Sequence, residues 1–262
     1  MGEALLSFGL LLAVFLPLER LFPAHRGPLL RREWATDLCF FFGQALLFTA
    51  PVVAVLVALL RFADGLPLGW VREPFAALPF AAQLVAVLLL CDLGTYWAHR
   101  LSHRNRFLWR FHRVHHTAER LDWLAAYREH PFDNLYTRLI ENLPAILLGF
   151  PLAGLAGIAV FRGLWAVYIH SNVSLSPGPL RYVFGAPRLH HWHHEPTKSG
   201  AVNFANLSPL MDLAFGTYYD PGEMPSRYGA LERVPRGYAA QLVGPLLPRR
   251  LGATSPRSTR RG

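Results

Sequence analysis

The chain has 262 residues, 52% hydrophobic and 16% charged, with a formal net charge of +9 at pH 7. Soluble domains carry roughly 25% charged residues, so this composition excludes intrinsic disorder and argues against nucleic acid as the partner of the basic charge. The two cysteines, Cys39 and Cys91, both lie in apolar runs and supply neither a disulfide framework nor a cysteine metal site.

Residues 4–18 form the first apolar run, short and closed by Pro17 and Glu19, and are read as a first span or half-span. Glu3 ahead of the run, and the lack of a small-residue cleavage site after it, argue against a signal peptide. Residues 38–60 contain no charge, and residues 76–90 continue through Asp92 towards His99. Both suit a hydrocarbon core of about 30 Å, which takes about 20 residues of helix. Arg20, Arg26, Arg31 and Arg32 follow the first run, and a dense basic stretch begins at Arg100. The connection 61–74 balances two arginines against Asp64 and Glu73. The positive-inside rule then places the N-terminus outside and the residues after His99 in the cytoplasm.

The fourth run, 143–169, is broken by Gly149-Phe150-Pro151 and carries Arg162. A single crossing would part His170 from the histidines at 99–116, so the run is expected to enter and return as a re-entrant hairpin. Its aromatics Phe150, Phe161, Trp165 and Tyr168 are read as packing residues. Together with span 76–98 it is expected to border an apolar substrate channel.

Twelve histidines are present, five of them within 99–116 and four within 190–194. His99 and His103 are spaced i, i+4. His112, His115 and His116 form an H-x-x-H-H triple, and His190, His193 and His194 form a second. Side chains three or four apart share one helical face at about 5–6 Å. Two such imidazoles suit one ion, and the triple suits one ligand to each of two neighbouring ions. Imidazole alone leaves Zn, Cu, Fe and Ni open, but eight or more histidines exceed what one ion uses. Asp92, Tyr96, His99 and His103 make one stripe, and an acid inside an apolar span is costly and usually functional. Asp92 is therefore expected to accept an imidazole N–H and set its tautomer, the alternative being a salt bridge to a neighbouring arginine.

These residues carry a resemblance. Asp92-x-x-x-Tyr96-Trp97-x-His99-Arg100-x-x-His103 is followed by Leu108-Trp109-x-x-His112-x-x-His115-His116, Arg128-Glu129-His130-Pro131, His170-Ser171-Asn172 and Gly178-Pro179-Leu180. Then come Pro187-x-x-His190-x-x-His193-His194, Asn203-Phe204, Leu207-Ser208-Pro209-Leu210-Met211-Asp212 and Phe215-Gly216-Thr217-Tyr218. The whole resembles the fatty acid hydroxylase/sterol desaturase superfamily, although Met211 stands where many members have Trp. The resemblance implies an integral-membrane enzyme with two iron ions, activating O2 to hydroxylate or desaturate a lipid C–H bond. Carried over, it implies His99, His103, His112, His115, His116, His190, His193 and His194 as ligands and His170 as a ninth. His130 is a ligand or the partner of one, and Asp92, Tyr96 and Asn172 are catalytic candidates. His191 occupies a variable place and is read as a bystander, and His25 as an interfacial residue.

The expected fold is all-α, with multi-pass membrane helices and a cytosolic, histidine-rich, helical di-metal cap. It divides into an N-terminal transmembrane region, 1–87, a catalytic domain, 88–220, a cytosolic cap, 221–247, and a disordered basic tail, 248–262. No G-x-G-x-x-G fingerprint or iron–sulfur cysteine set is present, so electrons are expected from a separate reductase, ferredoxin or cytochrome b5-like donor. The expected setting is the bacterial inner membrane or endoplasmic reticulum, with the histidines facing the cytoplasm. A histidine-rich membrane metal-binding or transport protein and a bis-histidine haem protein are the competing readings. The crowding of histidines after one span, not along several, disfavours transport.

Overall fold

The computed structural model describes residues 1–175, 177–198, 200–232 and 234–247. Among them the architecture is helical and contains no strand, only an isolated bridge between Pro23 and Val173. Four helical stretches are long and apolar enough to cross a membrane: Gly2–Leu21, Trp34–Asp64, Phe80–Arg104 and Leu152–His170. The first is α1. The second comprises α2 (Trp34–Gly43), a π-helical turn (Gln44–Phe48) and α3 (Thr49–Asp64). It is therefore longer at both ends than the uncharged run 38–60. Helix α4 (Gly69–Ala76) stands apart from α5 (Phe80–Arg104), because Pro79 begins the next helix at its N-cap.

The fourth run does reverse direction, but with a longer first arm than expected. Helix α7 (Pro131–Leu147) starts twelve residues before position 143, with Pro131 at its first position and the His130 side chain capping Phe132 N–H. The chain turns at Gly149, whose φ of +70° suits a residue without Cβ, and leaves as α8 (Leu152–His170). Phe150 at the turn stacks on Phe80, the first residue of α5, while Tyr136 near the start of α7 lies against Ala98 near its end. The two arms thus return residues 130 and 170 to the end of α5 that carries the histidines.

Between the helices, Val87 and Cys91 of α5, Ala145 and Ile146 of α7, and Leu155 and Ile158 of α8 form one buried apolar cluster with Ala63, Phe75 and Phe150. This interface is filled by packing. Leu11 and Phe15 hold α1 against Phe41, Trp123 and Val167. Outward-facing Leu6, Leu10, Val14, Leu47, Val53, Val85, Val160 and Leu164 are exposed, an apolar surface of the kind a bilayer covers.

The polar residues of these helices are paired with one another. Arg162 is fully buried, with Nε donating to Glu141 at 2.9 Å, a terminal nitrogen donating to Thr95 at 2.6 Å, and another 3.6 Å from Asp92. Arg138 closes the chain on Glu141 at 2.6 Å. Such a network satisfies charges that the hydrocarbon cannot.

Candidate metal centre

Helix α5 brings His99 and His103 to the end of the bundle. Helix α6 (Arg106–His112) and the 3-10 turn His115–Thr117 supply the first triple, and α9 (Pro187–His193) supplies the second. The Asn105 side chain begins α6 by accepting Phe107 and Leu108 N–H, so the chain reverses immediately after α5 and folds the triple back on His103.

Nine histidines assemble into two groups. His99, His103, His112, His116 and His193 form one, and His115, His170, His190 and His194 the other. Within each group one nitrogen per ring lies within 4.8 Å of all the others. Each H-x-x-H-H triple divides between the groups: His112 and His116 join the first and His115 the second, while His193 joins the first and His190 and His194 the second. The groups adjoin through His116 and His194, whose rings stack at 4.4 Å.

The outer ring nitrogens fix the tautomers. Nδ1–H donates to Phe204 O from His99 at 2.8 Å, to Asp133 from His112 at 2.9 Å, and to Arg128 O from His115 at 3.1 Å. It donates to Ala166 O from His170 at 2.7 Å and to Val202 O from His193 at 2.8 Å. Each corresponding Nε2 is then a bare lone pair pointing inward. The Nε2 atoms of His115 and His170 stand 2.9 Å apart with no proton to share, and His99 Nε2 is buried without a hydrogen-bond partner. Facing lone pairs in a buried space repel unless a cation lies between them, so these residues fit metal ions. Burial also holds the imidazoles uncharged: it lowers His193 to about 3 and keeps His115, His116, His190 and His194 well below 6.5.

Several candidates are placed differently from expectation. Asp92 orients no imidazole: it accepts Leu207 and Ser208 N–H at 2.9 and 3.0 Å, and so holds the 203–208 loop. Tyr96 bonds Thr217 Oγ1 at 3.1 Å, and Thr217 donates to Asp212, which accepts Phe204 and Ala205 N–H of the same loop. Both residues thus act on His99 at one remove, through Phe204 O. Asn172 faces away from the imidazoles and clamps His25, accepting its N–H and donating to its carbonyl. His130 lies outside both groups, its Nδ1 capping α7 and its Nε2 donating to Leu242 O at 3.0 Å. It is a capping residue because Pro131 must open the helix there.

Other residues enter the site unforeseen. Asp133 is the carboxylate on an imidazole, although in sequence it reads as an ordinary acid in a first helical turn. His191 is fully buried, with Nε2 shared between the carbonyls of His170 and Ser171 at 3.2 and 3.1 Å. Its Nδ1 receives the Tyr228 hydroxyl, and Tyr228 in turn accepts from His25 Nε2. His191 is thus no bystander, and His25 is a half-buried member of a hydrogen-bonded chain. The Trp109 ring lies against His103 and His116 at 4.9 and 5.5 Å.

Residues 84–217 match the fatty acid hydroxylase family. The chain belongs to that family. It is 36% identical over 169 residues to the ornithine lipid hydroxylase OlsE of Rhizobium tropici, covering 64% of this chain and 51% of the relative. It is 30% identical over 128 residues to the alkylglycerol monooxygenase of Homo sapiens, covering 48% and 28%. Similarity to methylsterol monooxygenase 1-1 of Arabidopsis thaliana is 28% over 164 residues, covering 62% and 53%. The chain spans about half the length, or less, of these relatives. No solved structure matches.

The carboxylate on His112 sets one prediction. Asp133→Asn keeps the size but removes the charge that strengthens the Nδ1–H bond, and is expected to weaken metal retention about 10- to 100-fold. Chelator titration of the purified protein measures this. Unchanged retention contradicts the role of Asp133.

Proposed function

We propose that this chain is an integral-membrane lipid oxygenase that holds two iron ions, one in each histidine group, and hydroxylates a lipid C–H bond in preference to desaturating it. The observation that carries the reading is the pair of buried histidine groups at one end of long apolar helices, in a chain of the fatty acid hydroxylase family. The relatives' names, a lipid hydroxylase and two monooxygenases, support the substrate class.

Aliphatic C–H bonds yield to no side-chain acid or base, and iron supplies the O2 chemistry when bound. The chain's own residues do the rest. His99, His103, His112, His116 and His193 hold one ion, and His115, His170, His190 and His194 the other. Carbonyl and Asp133 acceptors lock five of these rings, His99, His112, His115, His170 and His193, in the ligating tautomer. The 203–208 loop, pinned by Asp92 and Asp212, fixes His99. Hydroxylation consumes one O2, two electrons and two protons, giving the alcohol and water. A separate reductase, ferredoxin or cytochrome b5-like protein donates the electrons. We place the histidines on the cytoplasmic face, from the excess of arginines after α1 and α5.

The test is expression in a host with its native lipids under isotopically heavy O2. A lipid one heavy oxygen atom heavier is expected, and it is lost when the histidines are replaced. Tightly held iron with no oxygenated lipid under any donor overturns the oxygenase reading and leaves metal binding alone.

A further inference from the structure

A cleft of about 800 Å³ opens between the end of α1, the 22–31 segment and the 119–123 segment, outside the two histidine groups. Its α1 wall carries a helical stripe, Leu12, Leu16 and Arg20, spaced one turn apart and covering about 12 Å, with Glu19 and Leu21 beside Arg20. The wall is therefore apolar along the span and carries Arg20 at its end, where Glu19 accepts backbone N–H groups.

Three arginines line the cleft at its mouth. Arg20 donates to Gly27 O at 3.3 Å, and Arg26 is the adjacent residue. A guanidinium nitrogen of Arg120 lies only 2.3 Å from where a Cβ on Gly27 would stand. Gly27 thus leaves the room in which Arg120 joins Arg20. None of the three pairs with an acid among the described residues.

The acids that line the cleft are engaged elsewhere. Glu19 accepts Trp123 and Asn172 N–H, Asp122 pairs with Arg31 at 2.6 Å, and Glu119 pairs with Arg236 at 3.4 Å. Arg20 and Arg120 at Gly27, with Arg26 lining the same cleft, have no ion-pair partner among the described residues and suit an external anion.

We propose that this cleft binds the phosphate or carboxylate of an anionic membrane lipid, with the first part of its acyl chain lying along Leu16 and Leu12. The position of Arg20 in the last turn of a candidate span puts the anion at headgroup depth, and the apolar stripe below it selects an amphiphile over a free ion. Such binding is independent of the oxygenase chemistry.

The test is native mass spectrometry of the full chain in detergent with equimolar dioleoyl phosphatidylglycerol and dioleoyl phosphatidylcholine. One phosphatidylglycerol per chain is expected in preference to phosphatidylcholine. Arg120→Gln or Arg26→Gln is expected to weaken it about tenfold. Gly27→Leu, which displaces Arg120 without removing charge, is expected to do the same, with thermal unfolding reporting that each variant is folded. Replacing Arg257, Arg260 and Arg261 by Gln is expected to leave the preference intact. Equal binding of the two lipids, or loss of the preference only on changing those three residues, overturns the site. Full displacement by inorganic phosphate at matched concentration overturns the lipid in favour of a free anion.

Discussion

Replacing His115 by alanine is expected to lower bound iron from about two ions per chain to about one and to reduce lipid oxygenation below roughly 1%, a larger loss than the 10- to 100-fold typical of removing a ligand's own hydrogen-bond partner. The reason is the small size of its group. His115, His170, His190 and His194 are four rings with no fifth among the described residues to take over. Removing His115 also leaves His170 Nε2 facing an empty space where a second lone pair stood at 2.9 Å. His103→Ala is expected to be milder in iron content, because its group retains four imidazoles and His103 is only half-buried. Elemental analysis of the purified variants, read beside product formation, measures both. Two irons and full activity in the His115 variant refute the two-group assignment, and equal losses in both variants refute the difference between the groups.

Arg162→Met is expected to destabilise the protein by about 3–5 kcal/mol, since it leaves Asp92 a buried charge without its ion-pair partner and Glu141 with Arg138 alone. The effect reaches beyond stability. Asp92 holds Leu207 and Ser208 N–H, and that loop carries the Phe204 carbonyl which fixes His99. Iron is therefore expected to leave the five-histidine group more readily than the four-histidine group. Thermal unfolding in detergent measures the first effect and stepwise chelation the second. An unchanged midpoint in this variant contradicts a paired, charged network.

The histidine spacing carried more of the site than any other signal. An i, i+3, i+4 triple on a helix determines which rings point the same way, and both triples divide between the two centres. The partners of the rings were not legible. Four of the five fixed Nδ1–H groups donate to backbone carbonyls, which every residue possesses, so the side chains of Phe204, Arg128, Ala166 and Val202 do not announce this role, even where Arg128 and Phe204 fall within the motifs. Asp92 was conspicuous as an acid in an apolar span, yet it serves a loop 115 residues away in sequence. His130 and His191 show the limit from opposite sides. Both lie next to plausible motifs, and only burial and the direction of each ring nitrogen make one a helix cap and the other a clamp on the His170 backbone.

The hydrophobic runs located the spans, but helix ends depended on local chemistry: Pro79 separates α4 from α5, and the His130–Pro131 pair starts α7 early. Low charge, high apolarity and an excess of arginine already pointed to a membrane as the partner of the +9 charge. The tertiary structure decided how that charge is used. Arg162 and Arg128 are buried, the first against Glu141 and the second against Asp37 and Glu33, while Arg20 and Arg120 meet at Gly27 and, like Arg26 in the same cleft, form no ion pair among the described residues. Composition counts charges and periodicity assigns them to faces. Whether a charge is neutralised within the fold or left for a ligand depends on which distant segments meet, and only the packed chain determines that.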